Sequence, residues 1–308
     1  MARNIWAKDR LYSILKPYAN ACTRTQYSRF MKSGLENIPK DGAVILAPNH
    51  VAALMDPMIM LNTLSGEVGF GARSDIFRNP KIARILNWLR ILPLARERNG
   101  LQEVAKNFET MDDIVECLRH DVPFCMYAEG THRPERGMLP VKKGVFKIAR
   151  KAVDELDKPV YVVPVGVDYE HFFRTLGRVS VSFGEPINMG KYIEEHSEMT
   201  DAELYRNLCE LLRNRILDRL DSIPERRHNL RFPRAVALLA LLPLWLSLGV
   251  VSLPIWAISE FILRKMEDKA WTQTVYFGVR FFFPYLWPFH YVFGILTNYY
   301  RNLIKDLR

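Results

Sequence analysis

Ala43-Val44-Ile45-Leu46-Ala47-Pro48-Asn49-His50-Val51-Ala52-Ala53-Leu54-Met55-Asp56 is the stretch from which the fold is read. Its first five residues are apolar without alternation, the pattern of a strand covered on both faces, and a polar cluster begins where the run ends. Working outward, residues 124–127 (FCMY), 160–165 (VYVVPV) and 179–183 (VSVSF) are short runs rich in β-branched or aromatic side chains and predict further strands. Residues 79–88, 101–118, 145–152 and 200–220 carry apolar side chains at helical spacing. Strands alternating with helices predict an α/β domain over 35–223, with a mostly parallel sheet flanked by helices.

The 308 residues carry a formal net charge of +9, yet the mean hydropathy is only −0.09. Both averages conceal a division along the chain. Residues 1–34 hold seven basic residues against one acid, residues 35–234 hold 29 of each sign, and residues 235–308 hold seven basic against four acidic. A nucleic-acid binder concentrates its positive charge on the folded body, whereas here it flanks apolar segments. That distribution predicts an anionic phospholipid membrane as partner and no nucleic acid. Four scattered cysteines, at 22, 117, 125 and 209, predict reduced thiols with neither a disulfide framework nor a zinc knuckle.

Residues 235–259 contain no charge, and a helix of that length spans about 37 Å, enough to cross a hydrocarbon core. Residues 275–297 form a second apolar stretch interrupted by Arg280 and His290. The expectation is a C-terminal unit over 224–308, a basic linker followed by a membrane-embedded helical hairpin at about 235–263 and 275–298. Seven basic residues on the outer flanks (226, 227, 231, 234, 301, 305 and 308) against three in the link predict the α/β domain and the carboxyl terminus on the cytoplasmic side. The N-terminus lacks the compact apolar run of a signal peptide. Residues 1–34 read as a basic amphipathic segment, either interfacial at a membrane or packed on the domain.

Three polar clusters follow strand-like runs, where ligands bind in α/β sheets. The first is Asn49 and His50 with Asp56 downstream, a pair able to form an Asp–His dyad whose carboxylate orients the imidazole while its other nitrogen takes a proton. The second is Arg96, after residues 91–94, whose planar fork suits a phosphate. The third is Glu129-Gly130-Thr131-His132-Arg133, where free amides, the Thr131 hydroxyl and Arg133 suit an anion. No spacing suggests a metal, and no G-x-S-x-G elbow or adjacent cysteine supplies an acyl-enzyme nucleophile.

In this order the clusters resemble those of the glycerolipid acyltransferases, the glycerol-3-phosphate and 1-acylglycerol-3-phosphate acyltransferases. The resemblance runs over about 35–190 and includes Gly144-Val145-Phe146-Lys147-Ile148-Ala149 and Phe183-Gly184-Glu185-Pro186-Ile187. Five residues separate His50 from Asp56 where the family usually has four, a variant associated with one branch. His132 stands where an arginine is usual, which leaves open whether His132 or Arg133 meets the phosphate. The resemblance implies a membrane enzyme of phospholipid biosynthesis without a cofactor. It would move an acyl group from acyl-CoA or acyl-carrier protein to glycerol 3-phosphate or its 1-acyl derivative. His50 would be the base, Asp56 its orienter, and Asn49, Arg96, Glu129, Gly130, Thr131, His132 and Arg133 would contact substrate. Two other readings stand beside it: an acceptor such as a lyso amino-acid lipid, and a non-catalytic membrane scaffold.

Overall fold

The computed structural model describes residues 5–94, 101–220, 223, 236 and 238–306, without the side chains of 101–107, 287 and 302–306. The strands are β1 (Arg29–Ser33), β2 (Ala43–Pro48), β3 (Gly69–Arg73), β4 (Ile91–Leu94), β5 (Phe124–Cys125), β6 (Val160–Tyr169), β7 (Arg178–Phe183) and β8 (Ile187–Asn188). They lie in the order β1-β7-β6-β2-β5-β3-β4, with β8 also on β6. Pairing is parallel except where β7 and β8 run antiparallel to β6. Helices α1 (Arg10–Arg24), α2 (Met55–Thr63), α3 (Pro80–Trp88), α4 (Leu101–Arg119), α5 (Gly144–Glu155), α6 (Met189–Glu195) and α7 (Asp201–Leu217) pack with this sheet. Three more follow: α8 (Leu242–Arg264), α9 (Thr272–Phe282) and α10 (Trp287–Asp306).

The unbroken apolar run of β2 is explained by two cores. Ile45 and Phe124 meet Ile114, Phe146 and Leu208 of α4, α5 and α7 on one face of the sheet. Val44 and Leu46 meet Ile59 and Met60 of α2 on the other. Successive side chains point to opposite faces, so both must be apolar. The α7 start is set by a capping box between Thr200 and Glu203.

Several expectations need correction. β6 runs on to Tyr169, past the predicted end at 165, because Gly166 and Asp168 lie in a strand whose pairing with β7 continues. The strand at 124–127 keeps only its first two residues. The boundary at 34 cuts off part of the sheet: β1 pairs with β7 over all five of its residues, so the domain begins before residue 29. Ahead of β1, the chain is packed on the domain. Ile5 is buried in the core, Trp6 stacks on His120 at 4.8 Å, and Leu11 and Ile14 of α1 remain exposed.

The second apolar stretch is not one helix. It is broken after Phe282, before Pro284, into α9 and α10, and α9 is docked on the domain. The Gln273 backbone carbonyl accepts from Gln26 Nε2 (2.9 Å), its Oε1 from the Tyr27 hydroxyl (2.7 Å), and its Nε2 donates to the His171 carbonyl (2.8 Å). The Tyr18 hydroxyl donates to the Phe281 carbonyl at 2.7 Å. Arg280 is buried in the same seat, its Nη1 donating to the Thr25 carbonyl and its Nε to the Tyr276 carbonyl, each at 3.3 Å.

Among the described residues one helix, α8, is long and apolar enough to cross a membrane. Only Ser252, Ile255, Ser259 and Leu263 of its 23 residues are buried. They form one stripe, against which the neighbouring helices pack, and Trp245 Nε1 donates to Thr297 Oγ1 of α10 at 2.8 Å. The rest of α8 presents apolar surface, unlike the core helix of a soluble domain.

Candidate active site

β2 delivers Asn49 and His50 to the carboxyl end of the sheet. Asn49 is buried, and its amide clasps β6: Nδ2 donates to the Val167 carbonyl (3.0 Å) and Oδ1 accepts from the Val167 N–H (2.7 Å). Both ends of this side chain thus hold the strand exit in place.

The five residues between His50 and Asp56 form a turn that enters α2, with Ala53 at φ +43°. That left-handed conformation is unusual for a residue with a Cβ. The turn closes His50 onto the first turn of the helix: His50 Nδ1 lies 2.6 Å from Asp56 Oδ2. The same oxygen accepts from the N–H groups of Val51 (2.7 Å) and Ala52 (2.9 Å). Asp56 Oδ1 accepts from the Tyr169 hydroxyl. Asp56 is wholly buried while His50 keeps 16% of its side chain exposed. A buried, fully hydrogen-bonded carboxylate orients the imidazole, and the contact at Nδ1 leaves Nε2 for chemistry.

Tyr127, two residues beyond β5, stacks on the His50 ring with centroids 4.1 Å apart. Its neighbour Glu129 is buried and accepts from the N–H groups of His50 (2.7 Å) and Leu139 (2.8 Å), tying two loops together. Burial raises the Glu129 carboxyl above its ordinary range despite those two bonds. Gly130 adopts φ +66° in the turn that follows.

The expected anion cradle is only partly available. The Gly130 amide donates to the Tyr127 carbonyl (3.1 Å) and that of Arg133 to the His50 carbonyl (3.2 Å). The Arg133 guanidinium lies 3.4 Å from Glu135, and Thr131 is exposed. His132 points back into the site, its ring edge-on to that of His50 at 5.3 Å. Its Nε2 lies 2.7 Å from Asp268 Oδ2, in the link between α8 and α9. Trp271 stands edge-on to the same ring at 6.2 Å. This link therefore lies beside the α/β domain. Arg96 lies outside the described residues. Among the described residues no three His, Cys, Asp or Glu side chains gather as a metal set.

Sequence reasoning missed Tyr27, Tyr127, Tyr169 and the residues of the C-terminal link. Tyr127 ends a strand-like run, a signal available but ambiguous, whereas Tyr169 lies four residues past the end of the predicted run at 165. Nothing local marked Asp268 or Trp271.

The acyltransferase family profile matches residues 29–168. Glycerol-3-phosphate O-acyltransferase 1 of Saccharomyces cerevisiae is 28% identical over 102 residues, 32% of this chain and 13% of that protein. The 1-acyl-sn-glycerol-3-phosphate acyltransferase of Borreliella burgdorferi is 23% identical over 198 residues, 63% of this chain and 73% of that protein. The crystal structure of the 1-acyl-sn-glycerophosphate (LPA) acyltransferase of Thermotoga maritima superposes with a TM-score of 0.50 at 21% identity. That match covers 71% of this chain and 86% of the other, and speaks for the fold.

Proposed function

Since this chain belongs to the glycerolipid acyltransferase family, we propose that it moves a fatty acyl group from a thioester to a glycerol phosphate. The donor is acyl-CoA or acyl-carrier protein; the acceptor is a hydroxyl of glycerol 3-phosphate or 1-acylglycerol 3-phosphate. The observation that carries this reading is the 2.6 Å contact between His50 Nδ1 and the buried Asp56.

In this reading His50 Nε2 takes the acceptor's hydroxyl proton as its oxygen attacks the thioester carbonyl carbon. The tetrahedral intermediate collapses with cleavage of the C–S bond. The departing sulfur takes the proton from His50, so the products are an ester and a free thiol. No enzyme nucleophile and no cofactor enter. Holding acceptor and donor at one strand end turns a bimolecular encounter into a positioned one. Glu129 acts on the backbone of His50 rather than on the proton.

The uncovered apolar surface of α8 supports insertion into an anionic phospholipid membrane. We place the catalytic domain on the cytoplasmic side, a compartment that suits the four free cysteines. The test is steady-state turnover of the purified full chain with acyl-CoA and acyl-carrier-protein donors against glycerol 3-phosphate, 1-acylglycerol 3-phosphate and an amino-acid lipid acceptor. Turnover with a glycerol phosphate supports the reading; turnover of the amino-acid lipid alone, or of none, refutes it.

A further inference from the structure

The C-terminal segment does more than follow the domain. Gln273 is fully buried and bonded to Gln26, Tyr27, His171 and Phe172. Tyr27 in turn lies against Tyr169 with ring centroids 6.1 Å apart, and Tyr169 donates to Asp56. This seat fixes where the preceding residues fall. Asp268 Oδ1 accepts the Ala270 N–H at 2.9 Å, which caps the short turn, and Oδ2 faces His132 Nε2 at 2.7 Å.

The site thus contains two imidazoles side by side, each held by a carboxylate from a different element. His50 is held through Nδ1 by Asp56, and His132 through Nε2 by Asp268. A carboxylate on one ring nitrogen sets both the tautomer and the ring's direction. The two holders differ in setting. Asp56 is wholly buried, while the Asp268 side chain is about half exposed (49%), at the mouth of the site. Against the pull of partial burial, its bonds from His132 and Ala270 hold the Asp268 carboxyl below its ordinary range. It therefore faces His132 as an anion at neutral pH.

A glycerol phosphate whose hydroxyl sits at His50 carries its phosphate only one or two carbons away, on the scale of the 5.3 Å between the two rings. The apolar helix α8 ends at Arg264, four residues before Asp268. A lipid acceptor lying along that helix would present its headgroup at this mouth.

We propose that Asp268 is a positioning residue of the acceptor subsite. It holds the His132 ring beside His50 so that, as the imidazolium, its Nδ1–H meets the acceptor's anionic headgroup while its Nε2–H stays on Asp268, and Trp271 walls that subsite. The assignment rests on the glycerol-phosphate reading above and makes the C-terminal segment part of the active site.

The experiment is steady-state kinetics of the full chain in phospholipid vesicles, with acyl-CoA and acyl-carrier-protein donors and with glycerol 3-phosphate and 1-acylglycerol 3-phosphate as acceptors, for wild type, Asp268→Ala, Asp268→Asn and Asp268→Glu. Asp268→Ala and Asp268→Asn are expected to raise the acceptor KM by about tenfold or more, the loss of one charge-assisted contact. Donor KM stays put, kcat moves far less than acceptor KM, and Asp268→Glu recovers part of the loss. An acceptor KM within twofold of wild type in Asp268→Ala overturns the assignment. So does a change confined to thermal stability, or an equal rise in both KM values. Wild type inactive with every glycerol phosphate would instead sink the functional reading, and the assignment with it. An active wild type with an unmoved acceptor KM sinks Asp268 alone.

Discussion

Tyr169 donates its hydroxyl to Oδ1 of Asp56, leaving Oδ2 for His50. The contact exists because β6 outruns β2: Pro48 pairs with Val165, and Tyr169 lies four residues further along. Burial, and then the charge of Asp56, push the Tyr169 hydroxyl well above its ordinary range, so it remains a donor wherever the enzyme works. Tyr169→Phe removes this donor from a buried carboxylate, at a cost of about 1–3 kcal/mol. Thermal melting is expected to show lower stability, and turnover a fall in kcat of about tenfold as the dyad loosens. Unchanged kcat and unchanged melting together would mean that Asp56 needs no second anchor.

Glu129 predicts a pH dependence of stability. Its folded carboxyl is raised above the ordinary value, so the folded state binds its proton more readily than the unfolded chain. The stability it contributes is full below the unfolded pKa near 4.5 and is lost as pH rises through the raised folded pKa. Comparing melting against pH for wild type and Glu129→Gln isolates this slope, which the variant should lack. Gln also presents an N–H to one of two backbone donors, so at neutral pH it is expected to melt earlier, by about 1–3 kcal/mol. Identical pH slopes would contradict the burial account.

Cysteine chemistry plays no part in the proposed transfer. Burial pushes the Cys117 thiol up to about 12 and raises Cys125 as well, and the thiolate is the reactive form. Maleimide applied to the folded protein should leave both unlabelled by mass spectrometry, label them after unfolding, and leave acyl transfer in place. Prompt labelling of Cys125 with loss of activity would contradict this.

The exposed face of α8 carries the membrane claim. Val250 is 67% and Leu253 52% exposed, and an arginine at either would place a charge against lipid at roughly 2.5–3.5 kcal/mol each near the bilayer centre. Val250→Arg combined with Leu253→Arg is expected to reduce co-sedimentation with anionic vesicles while circular dichroism stays the same. Undiminished co-sedimentation would remove α8 from the membrane.

Much of the domain was legible because its signals are local. The run 43–47 has the unalternating apolar pattern of a doubly covered strand, and α3, α4, α5 and α7 match their apolar spacing to within a few residues. β1 and β3 were not read. Arg29–Ser33 and Gly69–Arg73 are polar or glycine-containing segments, made strands by pairing with β7 and by pairing with β4 and β5. Within the site, His50, Asp56, Glu129 and His132 could be named from where they follow strand-like runs. Tyr169, Gln273 and Asp268 could not, because they lie from 113 to 223 residues beyond Asp56 and His50 in the chain. The hairpin expectation failed for a related reason. Composition reported the apolar content of 275–297 faithfully, but only the bonds of Gln273 and Tyr18's bond to Phe281 reveal that its first half packs on protein.

If His50, oriented by Asp56, takes the acceptor's proton, removing its imidazole stops the transfer. Turnover of purified wild type and His50→Ala with acyl-CoA and 1-acylglycerol 3-phosphate, both bound to the same vesicles, decides the point. Acyl transfer by wild type and a loss of about 10²–10⁴-fold in the variant, with vesicle binding intact, is the expected outcome; near-normal turnover by His50→Ala would rule out His50 as the base.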